Sequence, residues 1–137
     1  MPRAEPSRGA AFAVVALGGA IGALARWAVD VGVDAMAVPL AWATLTVNIA
    51  GCLLMGVLVS YVLAHPTRHG LWRPFLGVGV LGGFTTFSAF AVDLVVLARE
   101  GHYAISLGYL VASVCGSLLA AWAGIAAGQA LRRRSAP

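Results

Sequence analysis

The chain has 137 residues, of which 61% are hydrophobic and only 10% charged, with mean hydropathy +0.90 and formal net charge +4. So few charges cannot clothe a water-soluble globule, and the apolar residues fall in long blocks, so the composition describes an integral membrane protein with no separate soluble domain. All nine basic residues are arginine, and the pI near 9.8 that they produce follows from membrane orientation and calls for no nucleic-acid partner.

Four apolar blocks lie at roughly 10–32, 40–64, 74–98 and 104–130, each near or above the ~20 residues that cross ~30 Å of hydrocarbon at ~1.5 Å per residue. Residues 1–137 therefore read as one all-α, four-helix transmembrane domain. In the first block, Arg3 and Arg8 precede the apolar run and Ala23-Leu24-Ala25 resembles a signal-peptidase site. The apolar pattern resumes through Trp27 to Val33, longer than a signal core, and predicts a retained span. Arg26 lies one turn inside its end.

The second block contains Thr44-Leu45-Thr46-Val47-Asn48-Ile49-Ala50-Gly51. Asn48 is an amide at membrane depth. It serves either as glue between helices that Ala50 and Gly51 allow to approach closely, or as an N–H donor that replaces part of the hydration of a passing anion. Cys52 and Cys115 both fall inside spans and read as small packing residues, not as a disulfide or metal pair. The breaker-rich loop His65–Gly70 carries two histidines with no Cys, Asp or Glu close by in sequence, so they are expected in solvent and not on a metal.

The third block holds the most informative segment, Gly79-Val80-Leu81-Gly82-Gly83-Phe84-Thr85-Thr86-Phe87-Ser88-Ala89-Phe90. A lipid-facing helix has no use for glycines and clustered hydroxyls, because an unpaired polar group in hydrocarbon is costly. The glycines form either a packing face or, with Thr85 and Thr86, a mid-membrane break. A break frees carbonyl oxygens, and such oxygens facing one another across a two-fold axis suit a hard monovalent cation. Phe87 and Phe90, three apart, share a face on which they pack apolar neighbours or turn positive ring edges toward an anion.

A tight turn, Arg99-Glu100-Gly101-His102, leads into the fourth block, where Tyr109, Ser113 and Ser117 recur every fourth residue. Three hydroxyls in register make a polar stripe, although each serine can also bond back to its own helix. Seven arginines, Arg3, Arg8, Arg68, Arg73, Arg132, Arg133 and Arg134, fall at one end of the spans, against Arg99 at the other end with Asp30, Asp34 and Glu100. The positive-inside rule then places both termini in the cytoplasm. No nucleophile with a nearby base, phosphate loop or carboxylate pair supports an enzyme.

Three segments, Gly18–Trp27, Thr44–Gly51 and Gly82–Phe90, together resemble the CrcB/Fluc family of bacterial fluoride channels, in length, span number and motif order along the whole chain. The resemblance implies a multi-pass protein of the cell inner or plasma membrane, assembled as a dual-pore, antiparallel dual-topology dimer that passes fluoride passively and confers fluoride resistance. It implies Phe87 and Phe90 as pore phenyls, Asn48 as a pore donor, and Thr86, Ser88, Tyr109, Ser113 and Ser117 as pore-lining polar groups. It further implies a structural sodium ion, bound but not transported, on the carbonyls of Gly82 and Thr85 from both subunits, with Arg26 and Asp93 as vestibule or structural charges. Ala89, Trp27, Ala43 and Asp93 stand where the family usually has Thr, Tyr, Gly and Glu, and the missing Ala89 hydroxyl bears on rate and on sodium affinity.

An antiparallel homodimer needs a chain that inserts both ways, whereas seven arginines against one favour a single orientation. A homodimer and a heterodimer with an oppositely oriented paralogue both stay open. Two other functions compete: a non-conducting subunit, and a small multidrug-type antiporter. The antiporter requires a mid-membrane carboxylate, and span 1 has none.

Overall fold

Small residues set the packing of this chain, because a glycine removes the side chain that would hold two helix backbones apart. The computed structural model describes residues 7–36, 39–64 and 70–134. Among them are four spans long and apolar enough to cross a membrane, Arg8–Asp34, Ala41–Ala64, Pro74–Arg99 and Tyr103–Arg134. The protein is an all-helical, multi-pass membrane protein.

Helix α1 (Arg8–Asp34) opens on Ser7, whose hydroxyl oxygen accepts the Ala10 amide at 3.3 Å as an N-cap. Helix α2 (Leu40–Ala64) follows. The third span starts as a π-helical segment, Pro74–Leu81, and runs into the single turn α3 (Gly82–Phe84). Thr85 (φ −78, ψ 157) and Thr86 (φ −147, ψ 127) are extended, and helix resumes as α4 (Phe87–Arg99). Gly101, at φ 83, then takes the left-handed conformation, with its amide on the Ala98 carbonyl at 3.1 Å and the His102 amide on Leu97 at 3.0 Å. That paired closure ends α4 and lets α5 (Tyr103–Arg134) start at once.

Two parallel helix pairs follow from the glycines. A Cβ on Gly18 would lie 2.5 Å from the Phe75 carbonyl oxygen and 3.0 Å from Gly79 Cα, and one on Gly22 would lie 2.7 Å from the Phe84 nitrogen. The residue numbers of touching positions rise together along both helices, so α1 lies parallel to the first half of span 3. The same holds for α2 and α5, which share the most extensive helix contact. There Gly56 faces Ala121 and Ile125, Gly124 faces Leu53 and Val57, and Gly128 faces Ser60. The Arg132 guanidinium fastens the far end by donating to the Ser60 carbonyl at 2.7 Å.

This arrangement puts Arg8, Arg73 and Arg132–Arg134 at one end of the bundle, with Asp34, Arg99 and Glu100 at the other. Arg3, Arg68, His65 and His69 lie outside the described residues. Ala43 and Val47 are essentially fully buried, whereas Phe12 is 76% exposed and Trp122 is 71% exposed. A surface of that kind requires lipid or another protein around it.

Span 3 departs from the sequence-based expectation in one respect. The glycine pair Gly82-Gly83 is helical, and the extended residues come just after it. Gly83 is needed for packing, since a Cβ there would meet the Gly19 backbone. The loosening begins earlier, in the wide turns from Pro74, where the Gly82 amide reaches back to the Gly77 and Gly79 carbonyls.

Candidate functional site

The extended pair Thr85–Thr86 leaves backbone groups without helical partners, and the neighbouring helix supplies replacements. Asn48, on α2, donates its Nδ2 to the Thr86 carbonyl at 2.9 Å, and its Oδ1 accepts the Thr86 amide at 2.8 Å. One side chain thus bonds both polar groups of one residue, as a paired strand would. The Thr86 hydroxyl accepts the Ala89 amide at 3.2 Å and caps α4. The Thr85 hydroxyl donates to Leu81 at 2.9 Å.

Each of these bonds has a consequence for the carbonyls behind it. In an unbroken α-helix the Thr86 and Ala89 amides would close on the carbonyls of Gly82 and Thr85, by the i to i−4 rule. Both amides are turned elsewhere, to Asn48 and to the Thr86 hydroxyl. The two carbonyls proposed to hold sodium are therefore those whose helical donors have been removed, and Gly82 is exposed on the protein surface. This donor set, hard neutral oxygens and no thiol or imidazole, suits an alkali cation.

An open groove of ≈ 380 Å³ runs beside the break. Its walls include Asn48 and Cys52 from α2, Thr85, Thr86, Phe87 and Phe90 from span 3, and Ser113 and Ser117 from α5. The phenyl rings lie 5.7 Å apart at an interplanar angle of 51°. Phe90 is 8% exposed whereas Phe87 is 80% exposed, so one ring is part of the core and the other faces outward. The Ser113 hydroxyl is buried at the groove wall, on the α5 turn that follows Tyr109.

The remaining predicted residues occupy other places. Tyr109 lines a separate cavity of ≈ 560 Å³ with Trp42, Leu45 and Ile105, and is not on the groove wall. Its ring packs against Phe90 at 5.6 Å and 35°, and its hydroxyl donates to Asp93 Oδ2 at 3.0 Å. Tyr109 therefore backs the buried phenyl, and the spacing of four that aligns it with Ser113 and Ser117 does not bring all three to one cavity. Ser88 is exposed and pairs with the Thr86 hydroxyl at 3.2 Å. Arg26, half-buried on α1, lies off the groove.

Two residues have more specific places than the sequence reading gave them, which took Cys52 as a packing residue and Gly51 as one that lets helices approach. Cys52 lines the groove one turn beyond Asn48, a position that helical spacing from Asn48 would have singled out. Gly51 admits the break: a Cβ there would collide with the Thr85 methyl and come within 3.4 Å of the Phe84 ring. Gly51→Ala is expected to destabilise the protein by about 1–3 kcal/mol, read as a lower melting temperature in detergent. Gly32→Ala, with nothing within 4 Å of its Cβ, is expected to melt as the wild type does.

The family model for CrcB-like protein, Camphor Resistance (CrcB), matches residues 13–125. A Paracoccus denitrificans protein named fluoride-specific ion channel FluC is 48% identical over 120 residues, covering 88% of this chain and 95% of the relative. A Bordetella petrii protein of the same name is 42% identical over 121 residues, 88% of this chain and 93% of the relative. A Nocardia farcinica protein, fluoride-specific ion channel FluC 2, is 39% identical over 131 residues, 96% of this chain and 91% of the relative. These are names of ion channels and not of enzymes. Because the matched region takes in Asn48, the interrupted third span and both groove serines, the chain belongs to the CrcB family.

Proposed function

We propose that this protein is a passive, fluoride-selective channel of the cell membrane that lowers cytoplasmic fluoride. The observation that carries this reading is the groove itself. Within a largely apolar bundle, it gathers an amide, two phenyl rings and two serine hydroxyls around the start of a helix. Helix α4 begins at Phe87, and the N-terminal end of a helix carries partial positive charge that favours an anion. Fluoride sheds strongly held water on entering such a path, and N–H, O–H and ring edges are the groups that replace it. One Asn48 N–H bonds Thr86, so the amide has a second N–H for the groove.

The driving force is weak-acid chemistry. HF enters from acidic surroundings, dissociates in the neutral cytoplasm, and the trapped anion leaves through the channel.

The active unit in this reading is a dual-pore dimer of antiparallel subunits. A sodium ion, when bound at the centre, neutralises carbonyl dipoles brought face to face, and Gly82 and Thr85 of each subunit hold it. The arginine excess at one end of the bundle supports a heterodimer with an oppositely oriented paralogue as the second form of the assembly. Asp93 supports the antiporter reading poorly, since it is engaged by the Tyr109 hydroxyl.

The deciding experiment is fluoride efflux from liposomes that contain this chain alone, with chloride efflux as control, in sodium and in sodium-free medium. Fast efflux of fluoride over chloride, lost without sodium, is the expected result. Silence from well-folded protein, rescued by an oppositely oriented paralogue, would establish the heterodimer. Silence with that partner present would sink the channel reading in favour of a non-conducting subunit.

A further inference from the structure

We propose that Asn48 and Thr86 are positioning residues for the cation site: by taking the Thr86 and Ala89 amide protons, they keep the Gly82 and Thr85 carbonyls open. The inference rests on the sodium reading above and assigns its control to two side chains that supply no ligand.

The two side chains act on different carbonyls. Asn48 Oδ1 takes the Thr86 amide at 2.8 Å, the proton that helical closure would deliver to Gly82. The Thr86 hydroxyl takes the Ala89 amide at 3.2 Å, the proton that closure would deliver to Thr85. Each side chain thus guards one carbonyl, from a different element. In a low-dielectric interior a released amide has to find an acceptor, and the carbonyl four residues back is the nearest one that helix geometry offers. Removing either side chain therefore favours a more continuous helix and a closed carbonyl.

Asn48 also lines the groove, and its second bond, Nδ2 to the Thr86 carbonyl at 2.9 Å, holds the residue immediately before Phe87. The same amide thus connects the cation site to the presentation of the first phenyl. The sequence offers no hint of this, because Asn48 and Thr86 are separated by 38 positions.

The test uses the full chain in detergent, with melting temperature followed while sodium replaces choline at constant ionic strength. A ligand that binds only the folded assembly raises its melting temperature, and the half-saturating concentration reports affinity. Thr86→Val and Asn48→Ala are each expected to raise the half-saturating sodium concentration by about tenfold or more, the loss of roughly one buried hydrogen bond. Thr86→Ser, which keeps the hydroxyl, is expected to match the wild type. Because the two variants lie on different elements, failure of one to fold leaves the other to decide.

Variants that keep the wild-type sodium response would overturn the proposal, whether or not they still pass fluoride. A wild-type chain that passes fluoride while its melting ignores sodium would remove the cation site and this proposal together, and would leave the channel reading standing. A wild-type sodium response without fluoride efflux would sink the homodimeric channel while the variants still decide the positioning roles.

Discussion

Phe90→Ile is expected to reduce fluoride efflux by about two- to tenfold while the protein still folds, since an aromatic contact carries roughly 0.5–1.5 kcal/mol beyond its buried area and about 1.4 kcal/mol is tenfold. The position separates chemistry from packing. Phe90 is buried, held between Phe87 at 5.7 Å and Tyr109 at 5.6 Å, and its residue lines the groove. Isoleucine keeps most of the apolar volume, so the packing cost should stay below about 1.5 kcal/mol. It has no ring edge to offer an anion. Liposome efflux measured beside a melting curve reads both effects, and undiminished efflux from folded protein would take the Phe90 ring out of the anion path.

The largest effect on folding is expected at the α2–α5 contact. A Cβ at Gly124 would collide with the Leu53 carbonyl oxygen and lie 3.0 Å from both the Leu53 carbonyl carbon and the Val57 nitrogen. Those atoms are helix backbone and cannot turn aside as a side chain would. Gly124→Val should therefore separate the two helices and destabilise the bundle by about 3 kcal/mol or more, the upper end for overpacked sites. The readout is loss of a monodisperse peak in size-exclusion chromatography and a lower melting temperature. Gly108→Ala lies in the same helix with nothing within 4 Å of its Cβ, and should behave as wild type. Equal behaviour of the two variants would show that this glycine contact does not hold the helices together.

These expectations draw on different parts of the chain with different legibility. Hydropathy alone places four spans, because nothing but helix satisfies the backbone over such lengths of apolar sequence. The third span is legible as unusual, since its glycines, hydroxyls and phenyls make a poor lipid-facing surface. Its detail is not legible. The glycine pair has low helix propensity, yet Gly82 and Gly83 stay helical, and Gly83 packs closely against the Gly19 backbone of α1. The extended residues are the two threonines, where Asn48 offers bonds that compete with helix closure. Local propensity names candidates for a break; a long-range partner selects among them.

Tyr109 makes the same point from the other direction. Spacing of four puts it in line with Ser113 and Ser117, but a helix face is wide enough to meet two neighbours at once. Ser113 and Ser117 open onto the groove, whereas Tyr109 is drawn toward Phe90 and Asp93. Asp93 itself looks like a lone carboxylate in the sequence and has a hydroxyl donor in the fold.

Hydrophobicity and charge act locally and can be read in order, so the class of the protein, its spans, the uneven distribution of arginine and the residue types gathered in the third span are all legible along the chain. Which polar groups meet, where span 3 stops being helical and which carbonyls lose their donors emerge when the helices pack together. Those outcomes depend on hydrogen bonds between residues far apart in the chain, and a bond of that kind has no signature in either partner's neighbourhood until the glycine contacts bring the helices together.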